Sequence, residues 1–153
     1  MKIAKRVLAI LLIFMLVLPI IAYIGIVITN NSIANRVEKD LTAYELPADT
    51  VLVDSVSIAG KLNGSGNGMQ YRGAILVKSE LGEEELTEHY GSAFDHIEVR
   101  KQTSADIYGK YSFDRFSDED KDSYYSVICQ DDKRTETFGG FISALLDFDL
   151  RGH

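Results

Sequence analysis

The sequence predicts an α+β protein with an N-terminal transmembrane helix and stalk, followed by a mainly antiparallel β-sheet packed with one or two helices. Three observations predict this architecture. An uncharged apolar segment lies near the N-terminus, an amphipathic segment follows it, and the remainder alternates Val- and Ile-rich stretches with turns rich in Gly and Asn. A chain of 153 residues suffices for one domain and leaves little room for a second.

The apolar segment covers residues 7–28 and reads VLAILLIFMLVLPIIAYIGIVI, where the Tyr23 hydroxyl is the only polar side-chain group. As a helix rising about 1.5 Å per residue, these 22 residues span roughly 33 Å, enough to cross a hydrocarbon core of about 30 Å. A domain this small could not surround a helix that is apolar on every face. The sequence therefore predicts a membrane-spanning anchor at residues 7–29, through which the protein contacts the lipid bilayer.

Two other interpretations of this segment are disfavoured. A cleaved signal peptide usually has a shorter apolar core and a small-x-small cleavage site, and the nearest approach here is Ala22-Tyr23-Ile24. A lipoprotein signal requires a cysteine directly after the segment, whereas the only cysteine is Cys129. We therefore expect a signal anchor that is not removed.

Positive charge predicts the orientation of the anchor, because cytoplasmic flanks carry an excess of Lys and Arg. Lys2, Lys5 and Arg6 precede the span, so residues 1–6 should be cytoplasmic and the C-terminal domain extracytoplasmic, in the cell membrane. The other 13 of 16 basic residues and all 23 acidic residues then lie outside, a formal charge of −10. Such a surface repels polyanions, so nucleic acid is not an expected partner.

Residues 30–46 are predicted to form an amphipathic stalk helix that continues from the membrane. Its apolar positions recur at intervals of four, four and three residues, the spacing of one helical face. They are Ile33, Val37, Leu41 and Tyr44. The helix should stop before Pro47, because proline disfavours helical geometry in the residue before it. We expect the apolar stripe to pack on the protein's own domain, with a partner's surface as the alternative.

The extracytoplasmic α+β domain, residues 47–153, should begin with a β-hairpin. Residues 50–62 and 69–79 are rich in β-branched residues and read as strands. Between them, Asn63-Gly64 and Asn67-Gly68 favour turns, because Asn tolerates positive φ and Gly adopts it freely. A phosphate loop would instead run from a strand into a helix. The sequence thus favours a hairpin over phosphate binding.

The rest of the domain is predicted to hold one helix and three or four further strands. A helix should start near Ser79, with the acids at residues 83–85 in its first turn and with Leu86, Tyr90 and Ala93 facing inward. Three later segments read as strands, namely residues 94–102, 104–113 and 123–130. In the tail, Phe138, Ile142 and Leu145 suit a helix or turn, whereas residues 146–151 alternate as a closing edge strand would.

No motif predicts a cofactor or a metal. Residues 118–122 (DEDKD) resemble the start of a calcium loop, but Ser123 stands where glycine is expected and Cys129 where the bidentate glutamate is expected. The three histidines do not match a zinc spacing. We expect Cys129 to be a buried small hydrophobe on the last predicted strand.

Two function classes remain open. The first is a noncatalytic binding or accessory module for a protein partner at the cell envelope, since there is one anchor and no recognisable nucleophile or metal motif. Its ligand or partner surface should lie where tyrosines converge with polar groups, and the candidates are Tyr108, Tyr111, Tyr124 and Tyr125. The alternative is an envelope hydrolase or other ligand-binding enzyme that uses His89 or His96 with nearby carboxylates, although catalytic residues cannot be assigned from the sequence.

Overall fold

The computed structural model describes residues 2–62, 68–109, 111–131, 142 and 144–151. Its elements are α1 (Lys2–Ala43), β1 (Thr50–Gly60), β2 (Gln70–Ser79), α2 (Glu83–Gly91), β3 (Ile97–Lys101), β4 (Asp106–Ile107), β5 (Tyr111–Ser112) and β6 (Tyr124–Gln130). A short 3₁₀ turn, Lys121–Ser123, precedes β6. A long apolar helix, an antiparallel four-stranded sheet and a few other turns of helix confirm the α+β class.

Helix α1 is one continuous helix of 42 residues that contains both the apolar segment and the predicted stalk. Its first part is long and apolar enough to cross a membrane, and the side chains of residues 10–22 are all exposed. Farther along, Ile33, Val37 and Leu41 are buried, as their spacing predicts. The second part of the helix is therefore a layer of the domain itself.

The four-stranded sheet has the order β1-β2-β6-β3, and each neighbouring pair is antiparallel. Strands β2 and β6 are central, so both of their faces are covered. The central position of β2 explains why every residue from Tyr71 to Val77 is buried. In an edge strand, buried and exposed residues would alternate. Strands β1 and β2 pair from Thr50↔Ser79 to Gly60↔Gln70, as the predicted hairpin requires. The turn residues 63–67 lie outside the described residues.

The sheet separates two hydrophobic cores. Helices α1 and α2 cover one face, which we call the helical face, and its core consists of Val37, Leu41, Ile75, Val77, Leu86, Tyr90, Val99, Val127 and Cys129. The segment between β3 and β6 covers the other face, called here the outer face, whose core consists of Ile58, Ala74, Leu76, Ile107, Phe113, Tyr124 and Ile128. Cys129 is thus buried, as predicted.

Helix α1 lies very close to β2 at Gly73. A Cβ atom at this position would lie 2.5 Å from the backbone nitrogen of Glu38 and 2.6 Å from its Cα atom. No real Cβ contact is that short, so the helix and strand can pack at this separation only because residue 73 has no side chain. Gly73 therefore sets the distance between the helical layer and the sheet.

Two predicted strands are corrected. Residues 104–113 do not form one strand but a small hairpin, in which β4 and β5 pair through Asp106↔Ser112 and Ile107↔Tyr111. Tyr108 and Gly109 have φ of 57° and 70°, and these left-handed conformations turn the chain back. Among residues 144–151, the predicted closing strand is replaced by a helical turn and further turns. Phe138 lies outside the described residues.

Helix α2 begins later and ends earlier than the sequence predicts. Its N-cap is Gly82, whose N–H donates a 2.9 Å hydrogen bond to the Glu85 side chain, so Ser79 is not the cap. Leu86 and Tyr90 are buried as predicted, but Ala93 lies beyond the helix and is exposed. The prediction for Ala93 was wrong because the helical spacing was extended past Gly91, where the helix stops.

Candidate functional site

Two arginines meet around one tyrosine on the outer face of the sheet. Arg72 of β2 and Arg100 of β3 place their Cζ atoms 4.9 and 5.2 Å from the centroid of the Tyr108 ring. Both guanidinium groups also donate hydrogen bonds to the Tyr108 hydroxyl, at 3.1 Å in the case of Arg100. These three residues are the arginine–tyrosine site.

The backbone at Tyr108 is held in an unfavourable conformation. Its φ of 57° is left-handed, which costs a residue with a side chain roughly 1–2 kcal/mol. Gly109, the next residue in the turn, has a φ of 70° and does not carry that cost, because glycine has no side chain. The two arginine contacts help to offset the strain at Tyr108, so the hairpin presents the ring in one defined position. Strained residues of this kind cluster at functional sites.

Glu98 and Gln130 complete the polar surroundings. Arg72 Nε donates a 3.1 Å hydrogen bond to the Gln130 side-chain oxygen. Arg100 Nε lies 2.8 Å from Glu98 Oε1, within ion-pair distance, although this nitrogen makes no hydrogen bond within the described part of the chain. Burial opposes the positive charge of Arg100, but Glu98 and Tyr108 together outweigh burial and raise the Arg100 pKa. The site therefore keeps a fixed positive charge.

A surface cavity of about 200 Å³ adjoins this cluster. Its lining residues are Arg72, His96, Ile97, Glu98, Ile128 and Gln130. Four of the six lining residues are polar or charged, whereas ligand sites are usually lined mainly by apolar side chains, and the volume is below the usual range for drug-sized ligands, about 300–1,000 Å³. The cavity suits a single side chain or another small group.

Three of the four tyrosines predicted to form a binding surface lie in or against the outer-face core, and the fourth, Tyr125, lies on the opposite face of the sheet. Tyr108 and Tyr111 are half-buried at the edge of the outer-face core, and the Tyr111 hydroxyl donates to the Ala59 carbonyl oxygen at 2.8 Å. Tyr124 is buried within that core, at 4% exposure. Tyr125, its neighbour on β6, packs on the helical face. Of the four, Tyr108 contacts the two arginines, and the binding role of the set stays a prediction.

The two histidines considered for catalysis lie in different surroundings. His89 of α2 contacts the Glu45 carbonyl oxygen through Nε2 at 2.7 Å, and its ring packs against Tyr44 and Tyr90. These contacts join α2 to the end of α1 and are structural. His96 is exposed and lines the cavity that Glu98 also lines.

The acidic stretch at residues 118–122 forms turns with engaged carboxylates. Asp120 pairs with Lys78 at 2.7 Å, and Asp122 lies 3.8 Å from Lys101. Within the described ranges, no three His, Cys, Asp or Glu residues are grouped closely enough to hold a metal ion. Asp120 and Asp122 therefore form ion pairs that join this turn to β2 and β3.

Arg72 and Arg100 were not predicted as site residues from the sequence, although one signal was available for Arg72. It is a charged residue in a strand that is otherwise buried from Tyr71 to Val77, and its own exposure is only 8%. Charged side chains are rarely buried unless they are paired, so this position predicts a partner. Arg100 carries no such signal, because β3 is an exposed edge strand.

Fold and site together define an α+β protein with a long apolar N-terminal helix and a positively charged arginine–tyrosine site on its sheet. No family model, no curated protein and no solved structure matches this chain. Function must therefore be argued from the molecule's own geometry.

Proposed function

We propose that this protein is a single-pass membrane protein with a cytoplasmic N-terminus. Its extracytoplasmic domain is a noncatalytic binding or accessory module for a protein partner at the cell envelope. The observation that carries this proposal is the continuity of α1, in which residues 10–22 of the apolar part are exposed while the second part of the helix is a layer of the domain core. An exposed apolar helix of this length needs lipid around it.

The packing of α1 supports an accessory role at a fixed position. No loop separates the apolar part of the helix from the part that packs on the sheet. Near the contact at Gly73, Glu38 accepts a 2.6 Å hydrogen bond from the Ser55 hydroxyl, and Asn35 accepts one of 2.5 Å from Ser57. The domain is therefore held rigidly at one height above the bilayer, where a neighbouring envelope protein can reach it.

The arginine–tyrosine site is the surface that best fits a protein partner. It concentrates two guanidinium groups in a domain whose formal charge is −10 under the proposed orientation. Arginine and tyrosine are enriched among the residues that dominate protein interfaces. Arg100 can offer a carboxylate a charge-assisted hydrogen bond. We infer that a partner places an acidic side chain or a C-terminal carboxylate beside Arg100 and Tyr108.

The anchoring is tested by topology and extraction of the full-length chain. A reporter that is active only outside the cytoplasm should be active when fused after residue 153 and inactive when fused before residue 1. The protein should also stay with the membrane pellet at alkaline pH and leave it only in detergent. A cytoplasmic C-terminus, or a full-length chain that is soluble without detergent, overturns the proposal.

Partner binding is tested by site-specific photo-crosslinking in the protein's own membranes. A crosslinking residue at Asp106, exposed beside the site, should give one discrete adduct with another protein. The same residue at Thr87, exposed on α2, is the matched control and should give none. Arg100→Gln should abolish the Asp106 adduct while thermal unfolding of the variant shows that it is folded. Equal labelling from both positions, or an adduct that survives Arg100→Gln, contradicts the site assignment.

One observation favours an enzyme as the second candidate, namely that His96 and Glu98 line the same cavity. Against a general-base role, the Glu98 carboxylate is already engaged, because its Oε1 lies 2.8 Å from Arg100 Nε, within ion-pair distance. Full-length protein in detergent should be tested on chromogenic esters and phosphoesters beside the His96→Ala variant. Turnover by the wild type that the variant lacks would establish the enzyme, and equal rates would exclude His96 as its catalytic residue.

A further inference from the structure

The last described residues, 145–151, form a segment that we call the C-terminal foot. Leu146 is buried against α1 and the β1–β2 hairpin. Asp149 is fully buried, and its carboxylate accepts hydrogen bonds from Arg151 Nε at 2.9 Å, from Arg151 Nη2 at 2.6 Å and from Asn30 Nδ2 at 2.9 Å. These contacts fix the foot on helix α1.

The foot lies level with the end of the apolar segment of α1. Arg151 donates from Nη1 to the Asn31 side-chain oxygen at 2.9 Å, and from Nη2 to the Val27 carbonyl oxygen at 3.5 Å. Val27 is the second-last residue of the apolar segment 7–28. Val27 and Ile26 are half-buried, whereas residues 10–22 are exposed throughout. If the apolar segment lies in hydrocarbon, the foot lies at the boundary between hydrocarbon and headgroups.

The outward side of the foot is apolar. Phe148 and Leu150 are 65% and 68% exposed. Outside α1, five large hydrophobic side chains are exposed among the described residues, and four of them lie near the C-terminus. Those four are Ile142, Leu145, Phe148 and Leu150. Single exposed hydrophobics are ordinary, but a cluster of them indicates an interaction surface.

The charged groups of the foot turn inward. Asp149 is neutralised by Arg151, and Asp147 accepts a 2.7 Å hydrogen bond from the Met69 N–H. The surface around the outward side chains Phe148 and Leu150 is therefore apolar, because the neighbouring carboxylates of Asp147 and Asp149 are bonded on the inward side. This local surface differs from the acidic surface of the domain as a whole, which anionic headgroups repel.

We propose that the outward side of the C-terminal foot, Phe148 and Leu150, inserts into the interfacial layer of the same bilayer that holds α1. The inference rests on the proposed membrane anchoring. Lipid is the occupant because the foot's apolar surface adjoins the apolar segment through Arg151 and Val27. Aromatic and aliphatic side chains partition into this layer, and the Arg151 guanidinium lies where lipid phosphates are found. The bilayer thus holds the domain at two points, which limits its rotation about α1.

Tryptophan scanning of the full-length protein tests this, because the chain contains no tryptophan. Phe148→Trp and Leu150→Trp place the probe on the foot, at exposed positions where the larger ring does not disturb packing. Val51→Trp is the matched control, since Val51 is another exposed hydrophobic, at 63%. Along β1, Val51 lies eight residues from Ala59, and Ala59 packs beside Leu146 of the foot. Val51 is therefore roughly 26 Å away from that contact along the strand. Phe14→Trp, inside the apolar segment, reports the anchor itself.

Each variant is reconstituted in phosphatidylcholine vesicles carrying bromine at shallow or deep acyl carbons. Phe148→Trp and Leu150→Trp should lose emission, most strongly with shallow bromines, while Val51→Trp keeps its emission. Phe14→Trp should be quenched most by deep bromines. If Phe14→Trp is quenched and both foot positions are not, the foot proposal is wrong and its apolar side is left for a protein partner. If Phe14→Trp is also unquenched, the membrane anchoring itself is wrong.

Discussion

The Tyr71 hydroxyl donates a 2.6 Å hydrogen bond to the Asn30 side-chain oxygen, and both residues are buried. The Asn30 amide nitrogen donates in turn to the Leu146 carbonyl oxygen at 3.1 Å and to the Asp149 carboxylate at 2.9 Å. One asparagine, two residues beyond the apolar segment, thus joins helix α1, the central strand β2 and the C-terminal foot.

Asn30→Ala should therefore destabilise the protein strongly. It removes the acceptor of the buried Tyr71 hydroxyl and the side-chain donor to the Leu146 carbonyl oxygen, and a buried polar group left unsatisfied costs about 1–3 kcal/mol. Asp149 also loses one hydrogen bond but keeps those from Arg151. We expect a loss of roughly 2–4 kcal/mol in the free energy of unfolding. The measurement is denaturant unfolding of the full-length protein in detergent. Asn31→Ala is the matched control, because Asn31 is exposed and loses a hydrogen bond from the partly exposed Arg151, which should cost less than about 1 kcal/mol. Equal losses would show that the buried network does not stabilise the domain.

Gly73→Ala should separate helix α1 from the sheet. The new Cβ would meet backbone atoms of Glu38 at 2.5 and 2.6 Å, and backbone cannot rotate away as a side chain can. We expect a loss of about 2–3 kcal/mol, at the upper end for an overpacked core. Because Cys129 lies beneath the helical layer, its thiol should also react faster with a thiol reagent.

The control for Gly73→Ala is Gly91→Ala at the end of α2, where a Cβ would meet nothing within 4 Å. Alanine favours the helix there, so stability should stay level or rise by up to about 1 kcal/mol. If the two variants have equal free energies of unfolding and their Cys129 thiols react at equal rates, the close contact between α1 and β2 is absent in solution.

Stability should fall in acid through Asp149. Burial alone would raise the pKa of this carboxyl, but hydrogen bonds from Arg151 and Asn30 outweigh burial and lower the pKa to about 2. Since the folded pKa lies below the ordinary value of 3.8 for this carboxyl, the stabilisation is complete above about pH 4 and is lost as pH falls toward 2. We expect about 1–2 kcal/mol, because the partly exposed Arg151 is screened by solvent.

The check on this pH dependence is a comparison of wild type with Asp149→Asn between pH 5 and pH 2. The wild type should be the more stable at pH 5, and the difference should shrink as Asp149 becomes protonated. A difference that stays constant over this range would mean that the carboxylate is not stabilised as described.

Residues near one another in the chain account for most of what the sequence predicts correctly. The four-residue spacing of Ile33, Val37 and Leu41 marks the buried stripe of α1, and β-branched runs mark β1, β2 and β6. A helix and a strand impose their own periodicity on the chain, so local pattern is sufficient to find them. The apolar stripe of α1 does not reveal which surface packs against it. Nothing in the sequence indicates that helix α1 contacts β2 at Gly73.

The arginine–tyrosine site could not be predicted because it depends on the order of strands. Arg72 and Arg100 meet at Tyr108 only because β6 pairs between β2 and β3. The tail misleads for another reason, since Phe148 and Leu150 alternate with Asp147 and Asp149 as in an edge strand. There the alternation separates the exposed side chains Phe148 and Leu150 from carboxylates that are hydrogen-bonded inward, and no strand pairing occurs among residues 144–151.

A matched pair of Tyr→Phe variants tests the strength of the site. Tyr108→Phe keeps the ring beside both guanidinium groups and removes the hydroxyl that accepts from Arg72 and Arg100. Hydrogen bonds to charged groups contribute about 1.5–3 kcal/mol, whereas neutral ones contribute about 0.5–1.5 kcal/mol. Tyr111→Phe removes one neutral bond, to the Ala59 carbonyl oxygen. Tyr108→Phe should therefore be the more destabilising variant in denaturant unfolding, and the gap should narrow at high salt as the charges are screened. If Tyr111→Phe costs more, the arginines do not depend on the Tyr108 hydroxyl, and the ring alone orders the site.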